Sequence, residues 1–245
     1  MIKSFLFSII LCTTLLLFTK VDDNQDNTPQ NSKLNQYSYI DKNYLLGKIK
    51  PEEDAIFVKI PRKYCLHRTE YIHKEALKPY LAMYFKAEKQ GINLKIVSAF
   101  RSFNNQRHIW NRQFHGNSDK ITVINSILRY SSMPGTSRHH WGTDIDLLSV
   151  HLRYFETEEG KKAYQWLCEN AHKFGFYQVY TNKPYIGYNE EKWHWTYLPV
   201  SKIYLQEYKK QISYEEIIGF NGCEFAEKIN IFENYVFAID STLLQ

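Results

Sequence analysis

The sequence predicts an α+β protein in which a small antiparallel sheet is flanked by helices. Segments with helical spacing of apolar residues come first, and short strand-like segments are interleaved with helices later in the chain. This order is typical of the α+β class, since α/β folds alternate strands and helices regularly. Hydrophobic residues make up 44% of the chain and charged residues 23%, a composition that is typical of globular domains.

The individual elements follow from apolar spacing and from the residues that end each segment. In "HKEALKPYLAMYFKAEKQG" the residues Leu77, Leu81 and Tyr84 have helical spacing, and Gly91 stands where a helix ends. The segment "INLKIVSAF" then predicts a strand. Further helices are predicted over "SFNNQRHIWNRQF", "ITVINSILRYSS" and "EEGKKAYQWLCENAHKFGF", further strands over "GTDIDLLSV" and "KWHWTYL", and a mostly helical tail over 201–245.

The N-terminus has the sequence pattern of an export signal, a positive charge followed by an apolar run. Lys3 precedes the apolar run "FLFSIILCTTLLLF", which is shorter than the roughly 20 residues that a membrane-spanning helix needs. We therefore expect residues 1–20 to be a signal peptide or a short uncleaved anchor, which leaves attachment to a membrane open. The polar segment 21–36 has the composition of a linker. A folded domain is predicted over 37–200 and a mostly helical extension over 201–245, in an exported protein of the periplasm or cell envelope.

The overall charge does not indicate a nucleic-acid partner. The net charge is +5, and the chain contains neither a long basic run nor a glycine-rich phosphate loop. The charge is compatible with an anionic cell-wall polymer, but it does not require one. The sequence leaves the oligomeric state open.

A short segment, "SRHHWGTDID", carries metal-ligand chemistry. His139 and Asp146 stand on either side of a turn at Gly142, so that a turn residue and a strand residue can converge on one point. Imidazole and carboxylate groups are good zinc ligands, and a hydrolytic zinc site needs three protein ligands. The later segment "EEKWHW" offers His194 as the third ligand, and Glu191 as a nearby carboxylate that can move a proton. These residue types together predict a zinc peptidase.

Three ordered motifs in the chain resemble those of the VanY-type D-alanyl-D-alanine carboxypeptidases, which are zinc peptidases related to lysostaphin-like and Hedgehog-like proteins. The motifs are Ser-x-x-Arg-Ser-x-x-x-Gln from Ser98 to Gln106, Ser-x-His-x-x-Gly-x-x-x-Asp from Ser137 to Asp146, and Glu-x-Trp-His from Glu191 to His194. The resemblance covers roughly Pro61 to Pro199. It implies a Hedgehog/D-Ala-D-Ala-peptidase-like fold and peptidoglycan stem peptides as the substrate.

The resemblance also implies a role for each matching residue. Zn²⁺ would be held by His139, Asp146 and His194, with Glu191 as general base and general acid. Arg101 would stabilise the oxyanion, Ser137 would bind the terminal carboxylate of the substrate, and Gln106 would support substrate binding. The expected activity is removal of the terminal D-alanine. The alternatives are an endopeptidase or amidase of the same superfamily, or a non-catalytic wall-binding module.

One position departs from the VanY-type pattern. Many family members have a small residue two positions before the aspartate ligand, where this chain has Asp144. Strand alternation places Asp144 on the same face as Asp146. We therefore expect Asp144 to orient His139 or His140 as a hydrogen-bond acceptor, with replacement of Asp146 as the ligand as a second possibility.

Overall fold

An antiparallel four-stranded sheet carries the functional site. The computed structural model describes residues 36–115, 119–182, 187–240 and 243. Within these residues the strands are β1 (Phe57–Lys59), β2 (Tyr71–His73), β3 (Ile96–Ser98), β4 (Asp144–Leu147), β5 (Phe176–Gln178) and β6 (His194–Tyr197). The α-helices are α1 (Lys42–Leu45), α2 (Lys74–Glu88), α3 (Phe103–Gln113), α4 (Lys120–Ile127), α5 (Glu158–Asn170) and α6 (Leu198–Gln211). The predicted α+β class is confirmed.

The predicted signal or anchor segment, residues 1–20, lies outside the described residues, as does almost all of the predicted linker. In the part of the chain that the structure does describe, no helix combines the length and the apolar character needed to cross a bilayer.

The register of the large sheet aligns side chains from three strands. Its order is β3-β4-β6-β5 with antiparallel neighbours, while β1 and β2 pair separately. Asp146 on β4 lies opposite Ser98 on β3 and opposite His194 on β6. Side chains at directly opposed positions have their Cβ atoms about 4.5–5.5 Å apart. The pairing therefore places these three polar side chains in one row across the sheet.

The four helices predicted before residue 175 are all present. The helix α2 is followed by Gly91 at a φ of +72°, and the N–H of Ile92 donates to the carbonyl of Ala87 at 3.1 Å, which closes the end of the helix. The helix α5 continues as a short 3₁₀ turn, Ala171–Phe174, up to Gly175 at a φ of +79°. Both glycines therefore stand where the chain takes the left-handed conformation.

The chain after residue 200 is less helical than its sequence predicts. The prediction is confirmed for α6, which ends at Gln211. Beyond α6 the described residues form only short 3₁₀ turns and one π turn, Phe232–Val236. Positive φ angles at Gly219, Gly222 and Asn230 interrupt the regular helical backbone. The expectation of a mostly helical extension is therefore wrong beyond α6.

The C-terminal residues share a hydrophobic core with the rest of the folded chain. Trp141, two residues after the predicted metal ligand His139, is buried in the same cluster as Tyr204, Tyr208 and Phe232. The Trp141 ring lies 5.9 Å from the Tyr204 ring and 6.1 Å from the Tyr208 ring, between centroids. The described residues from Tyr37 onward accordingly form one compact unit.

A buried histidine in the N-terminal part makes stability depend on pH. The His73 Nδ1 atom accepts from the Glu75 N–H at 3.3 Å, and Nε2 lies 2.9 Å from the Tyr39 hydroxyl. Nδ1 is thus an acceptor, and the neutral ring carries its proton on Nε2. Burial, assisted by the nearby Lys74 charge, lowers the pKa of His73 to about 4.

We expect the free energy of unfolding to fall as the pH is lowered from about 6.5 towards 4. The unfolded chain takes up a proton at His73 in this window, but the folded chain does not. Acid therefore favours unfolding by up to roughly 3 kcal/mol. Urea unfolding, followed by tryptophan fluorescence at several pH values, measures the slope of the free energy of unfolding against pH. His73→Gln should reduce it and exposed His172→Gln should not, and an equal slope in all three proteins would contradict the assignment.

Candidate metal centre

Three buried side chains converge at the edge where the turn before β4 meets the sheet. His139 lies in a 3₁₀ turn, Arg138–Trp141, Asp146 lies on β4, and His194 begins β6. Each side chain offers one ligand atom, and these atoms all lie within 4.8 Å of one another. The sequence prediction that these three residues come together is therefore borne out by the geometry.

Gly142 makes the turn between the first two of these residues. It has a φ of +67°, and a Cβ atom at this position would lie 2.6 Å from Cε1 of Phe57. Neither the backbone conformation nor the available space suits a larger residue. The tight turn brings His139 next to Asp146 although seven positions separate them in the sequence.

The carboxylate of Asp146 faces both imidazole rings. Its Oδ1 atom lies 3.3 Å from Nε2 of His139 and 3.6 Å from Nδ1 of His194, and it has no hydrogen-bond partner among the described residues. A buried carboxylate oxygen without a partner is costly. A cation between the three atoms would satisfy it, and two imidazoles with one carboxylate are a donor set that zinc accepts. The residues present thus fit a zinc ion.

In each of the two imidazole rings, the nitrogen that does not face Asp146 already has a hydrogen-bond partner. Nδ1 of His139 lies 2.8 Å from the carbonyl oxygen of Ala99, an obligatory acceptor, so Nδ1 carries the proton and Nε2 is left for a metal. Nε2 of His194 lies 2.9 Å from Oδ2 of Asp144, which leaves Nδ1 of His194 for a metal. Such partners fix the tautomer and the orientation of a metal-binding histidine.

Asp144 orients a different histidine from the one expected. The expectation that it would orient His139 or His140 is wrong, because the β4–β6 register brings His194 to its side chain. Asp144 is also outside the group of atoms that could hold the metal, so it does not replace Asp146. Burial raises the pKa of Asp144, but the Arg138 guanidinium and the His194 ring outweigh it and hold this pKa far below its usual range.

His140 has a role that the sequence does not reveal. Its Nδ1 atom donates to the carbonyl oxygen of Arg101 at 2.6 Å, and its Nε2 atom accepts from the N–H of Gly135 at 3.0 Å. Burial lowers the pKa of His140 to about 3, which keeps the ring neutral with one donor and one acceptor. The second histidine of "HH" therefore ties together the two segments that carry Arg101 and Ser137.

Glu191 lies directly beside the three converging side chains. It is 5% exposed, and its Oε2 atom lies 3.1 Å from Nδ1 of His194. Burial raises the pKa of Glu191 above its usual value, although the His194 ring acts in the opposite direction. A carboxylate with a raised pKa next to a metal position is suited to take up and return a proton.

Arg101 is held on the other side of Asp146. Its Nη1 atom donates to Oε1 of Gln106 at 3.0 Å, its Nη2 atom donates to the Ser98 hydroxyl at 2.9 Å, and Nη2 lies 3.6 Å from Oδ2 of Asp146. Gln106 is fully buried, and its amide nitrogen donates to the carbonyl of Ser132 at 2.7 Å. Gln106 therefore supports the guanidinium from behind, so that any effect on the substrate passes through Arg101.

A cleft of about 840 Å³ opens over this group of residues. Ser137 lies in its wall, as the prediction of a substrate-binding hydroxyl requires. The wall also contains Tyr180, whose ring centroid is 5.0 Å from that of His194 and which the sequence analysis did not identify. Outside the site itself, the described wall also contains the His151 imidazole and the Arg153 guanidinium.

Comparison with known protein families agrees with this geometry. The model of the VanY D-alanyl-D-alanine carboxypeptidases matches residues 69–200, which is more than half of the chain. The chain belongs to the VanY family. The VanY match contains all seven residues predicted for the site, namely Arg101, Gln106, Ser137, His139, Asp146, Glu191 and His194. The resemblance inferred from three short motifs is therefore confirmed.

Two curated proteins are similar to part of the chain. The Bacillus subtilis protein named "Putative carboxypeptidase YodJ" is 31% identical over 136 residues, which cover 52% of this chain and 46% of that protein. An uncharacterised Haemophilus influenzae protein is 29% identical over 120 residues, which cover 41% of this chain and 89% of that protein. The chain thus matches less than half the length of the Bacillus protein.

Solved structures of VanY-like peptidases are more distant. The vancomycin resistance D,D-pentapeptidase VanY in complex with Zn(II) has a TM-score of 0.46 and 23% identity, with 61% of this chain and 89% of that chain covered. VanYB in complex with D-alanine-D-alanine has a TM-score of 0.47 and 22% identity, with 63% and 94% covered. For the LdcB LD-carboxypeptidase the TM-score is 0.48 and the identity 22%, with 74% and 79% covered. Membership of the VanY family rests on the sequence match alone.

Proposed function

We propose that this protein is a zinc-dependent D-alanyl-D-alanine carboxypeptidase that removes the terminal D-alanine from peptidoglycan stem peptides. The observation that carries the proposal is the unpartnered Oδ1 atom of Asp146, which faces His139 and His194 at 3.3 Å and 3.6 Å beside the buried Glu191. Membership of a family of peptidases supports the same conclusion.

His139, Asp146 and His194 would hold the zinc ion. When bound there, zinc would supply a Lewis acid that polarises the scissile carbonyl group and makes a water molecule easier to deprotonate. Glu191 would take the proton from the attacking water, because its carboxylate is buried at the edge of the same group. It would then give the proton to the leaving amine, so that the base ends the reaction in its starting state.

Arg101 would stabilise the negative charge that develops on the carbonyl oxygen. Its guanidinium is permanently charged and is fixed by the side chains of Ser98 and Gln106 at 2.9 Å and 3.0 Å. A preorganised donor is more effective than a mobile one, since it does not reorganise during the reaction. His140 extends this support to the Arg101 backbone.

Ser137 would recognise the free carboxylate of the terminal residue. It is in the cleft wall, two residues before His139. A carboxypeptidase must distinguish a chain end from a chain interior, and the difference is this one carboxylate. We also propose that residues 1–20 direct export to the cell envelope, since the substrate lies there and the segment has the charge and apolar run of a signal.

We expect a pentapeptide stem with a free C-terminal D-alanine to be cut ten- to a hundredfold faster than the same peptide with a C-terminal amide. Losing a charged hydrogen-bond partner at a prepared site costs about 1.5–3 kcal/mol. Ser137→Ala should narrow the ratio of the two rates and keep the zinc. Ser213→Ala should leave the ratio unchanged, because the Ser213 hydroxyl accepts from the Glu215 N–H and neither residue lies in the cleft wall. Mass spectrometry of the digests gives both rates, and equal rates in the unmutated protein would favour the endopeptidase alternative.

A further inference from the structure

A buried ion pair lies directly behind the proposed zinc ligand His194. Arg138 is 2% exposed and Asp144 is 0% exposed, and Nε of Arg138 donates to Oδ2 of Asp144 at 2.8 Å. The same Oδ2 atom lies 2.9 Å from Nε2 of His194. One carboxylate oxygen thus joins a permanent cation to the imidazole.

The second oxygen of Asp144 is held as firmly as the first. Its Oδ1 atom accepts from the hydroxyl of Thr196 at 2.6 Å and from the hydroxyl of Thr143 at 2.8 Å. The carboxylate therefore has two donors on each oxygen and cannot rotate without losing hydrogen bonds. A carboxylate fixed in this way defines the direction of the His194 ring.

Arg138 is also restrained on more than one side. Its Nη2 atom donates to Thr196 at 3.1 Å, and its guanidinium carbon lies 4.7 Å from the centre of the Trp141 ring. A carboxylate buried without a cation would be costly, since desolvation of a lone charge is not recovered. Arg138 offsets that cost and keeps Asp144 ionised as an acceptor.

We propose that Arg138 and Asp144 are positioning residues that hold His194 with its Nδ1 atom towards His139 and Asp146 and thereby raise the affinity for zinc. Asp144 accepts a hydrogen bond from the protonated Nε2 atom of His194, and the ion pair with Arg138 fixes the Asp144 carboxylate. Hydrogen-bond partners of metal-binding histidines typically contribute 10- to 100-fold in metal affinity. The inference rests on the proposed function in one respect, which is that the bound metal is zinc.

The tautomer of His194 can be tested without any substitution that disturbs folding. In zinc-loaded protein labelled with ¹⁵N, long-range ¹H–¹⁵N spectra should show His194 protonated at Nε2, with Nδ1 shifted by the metal. Assignment uses correlations that connect each imidazole ring to its own sequence-assigned backbone, so no ligand is replaced. Protonation at Nδ1 of His194 in the loaded protein would overturn the proposal. Failure of the unmutated protein to bind zinc would instead contradict the proposed function.

Variants separate a positioning role from a purely structural one. Asp144→Ala should weaken zinc binding 10- to 100-fold in competition with a chromophoric chelator, and it should also lower the melting temperature because Arg138 is left unpaired. The double variant Arg138→Met/Asp144→Ala should recover melting temperature, since no buried charge remains, but its zinc affinity should stay as low as that of Asp144→Ala. The Co²⁺ absorption spectrum of both variants should differ from that of the unmutated protein.

The matched control is Asp54→Ala. Asp54 accepts from the Tyr44 hydroxyl at 2.6 Å and from the Ile56 N–H at 2.8 Å, and it is not part of the cleft wall. This control should lower stability but leave zinc affinity unchanged. Recovery of both stability and zinc affinity in the double variant would overturn the proposal, as would zinc affinity within twofold of the unmutated protein in folded Asp144→Ala.

Discussion

Replacing Glu191 by alanine is expected to lower kcat/KM for a D-alanine-terminated stem peptide by about 10²- to 10⁴-fold, the usual contribution of a general base. Zinc content should stay the same, because the three proposed ligand atoms come from His139, Asp146 and His194. Release of D-alanine measures the activity, and elemental analysis of the purified protein measures the metal.

Glu190→Ala is the matched control for this substitution. The two glutamates are neighbours, but the Glu190 carboxylate accepts from the Tyr164 hydroxyl at 3.4 Å and does not belong to the cleft wall. Its removal should change kcat/KM little. If zinc content falls in step with activity in Glu191→Ala, then Glu191 is a ligand and its assignment as a base is wrong.

The second large effect is the loss of zinc when its ligands are removed. His139→Ala and His194→Ala should each lose most of the metal during dialysis against a chelator, since two protein ligands rarely retain zinc. The double variant should contain none. Elemental analysis before and after dialysis provides the measurement.

His108→Ala controls for the general effect of losing an imidazole, because His108 is exposed on α3 and outside the group that could hold a metal. It should keep one zinc per chain. Full zinc occupancy in the His139→Ala/His194→Ala protein would refute the metal site altogether.

The ligands of the site could be predicted because they lie in short local motifs. A glycine turn followed by a strand brings His139 and Asp146 together with little help from the rest of the chain, and Glu191 precedes His194 by three residues. Helices α2 and α5 could be predicted for a similar reason, since their apolar spacing repeats over several turns.

The partners of these residues depend on contacts between distant segments and could not be predicted. Alternation along β4 gives the face on which Asp144 lies, but the pairing of β4 with β6 decides that it meets His194. The same holds for His140, whose partners Arg101 and Gly135 follow from loop packing. Strands β1, β2 and β5 have three residues each, and no longer apolar alternation surrounds them. Strand β3 is equally short, but it could be predicted because the alternation of Ile92, Leu94 and Ile96 begins before it.

The hydrophobic core around Trp141 includes residues that lie beyond the end of the family match. The family match ends at residue 200, yet Tyr204 and Tyr208 pack against Trp141, and the Trp141 indole N–H donates to the carbonyl of Leu45 at 3.2 Å. A recombinant fragment limited to residues 69–200 would expose this tryptophan on two sides, one residue before the turn glycine Gly142. The segment that matches the family is thus shorter than the segment that must be expressed to obtain an ordered active centre.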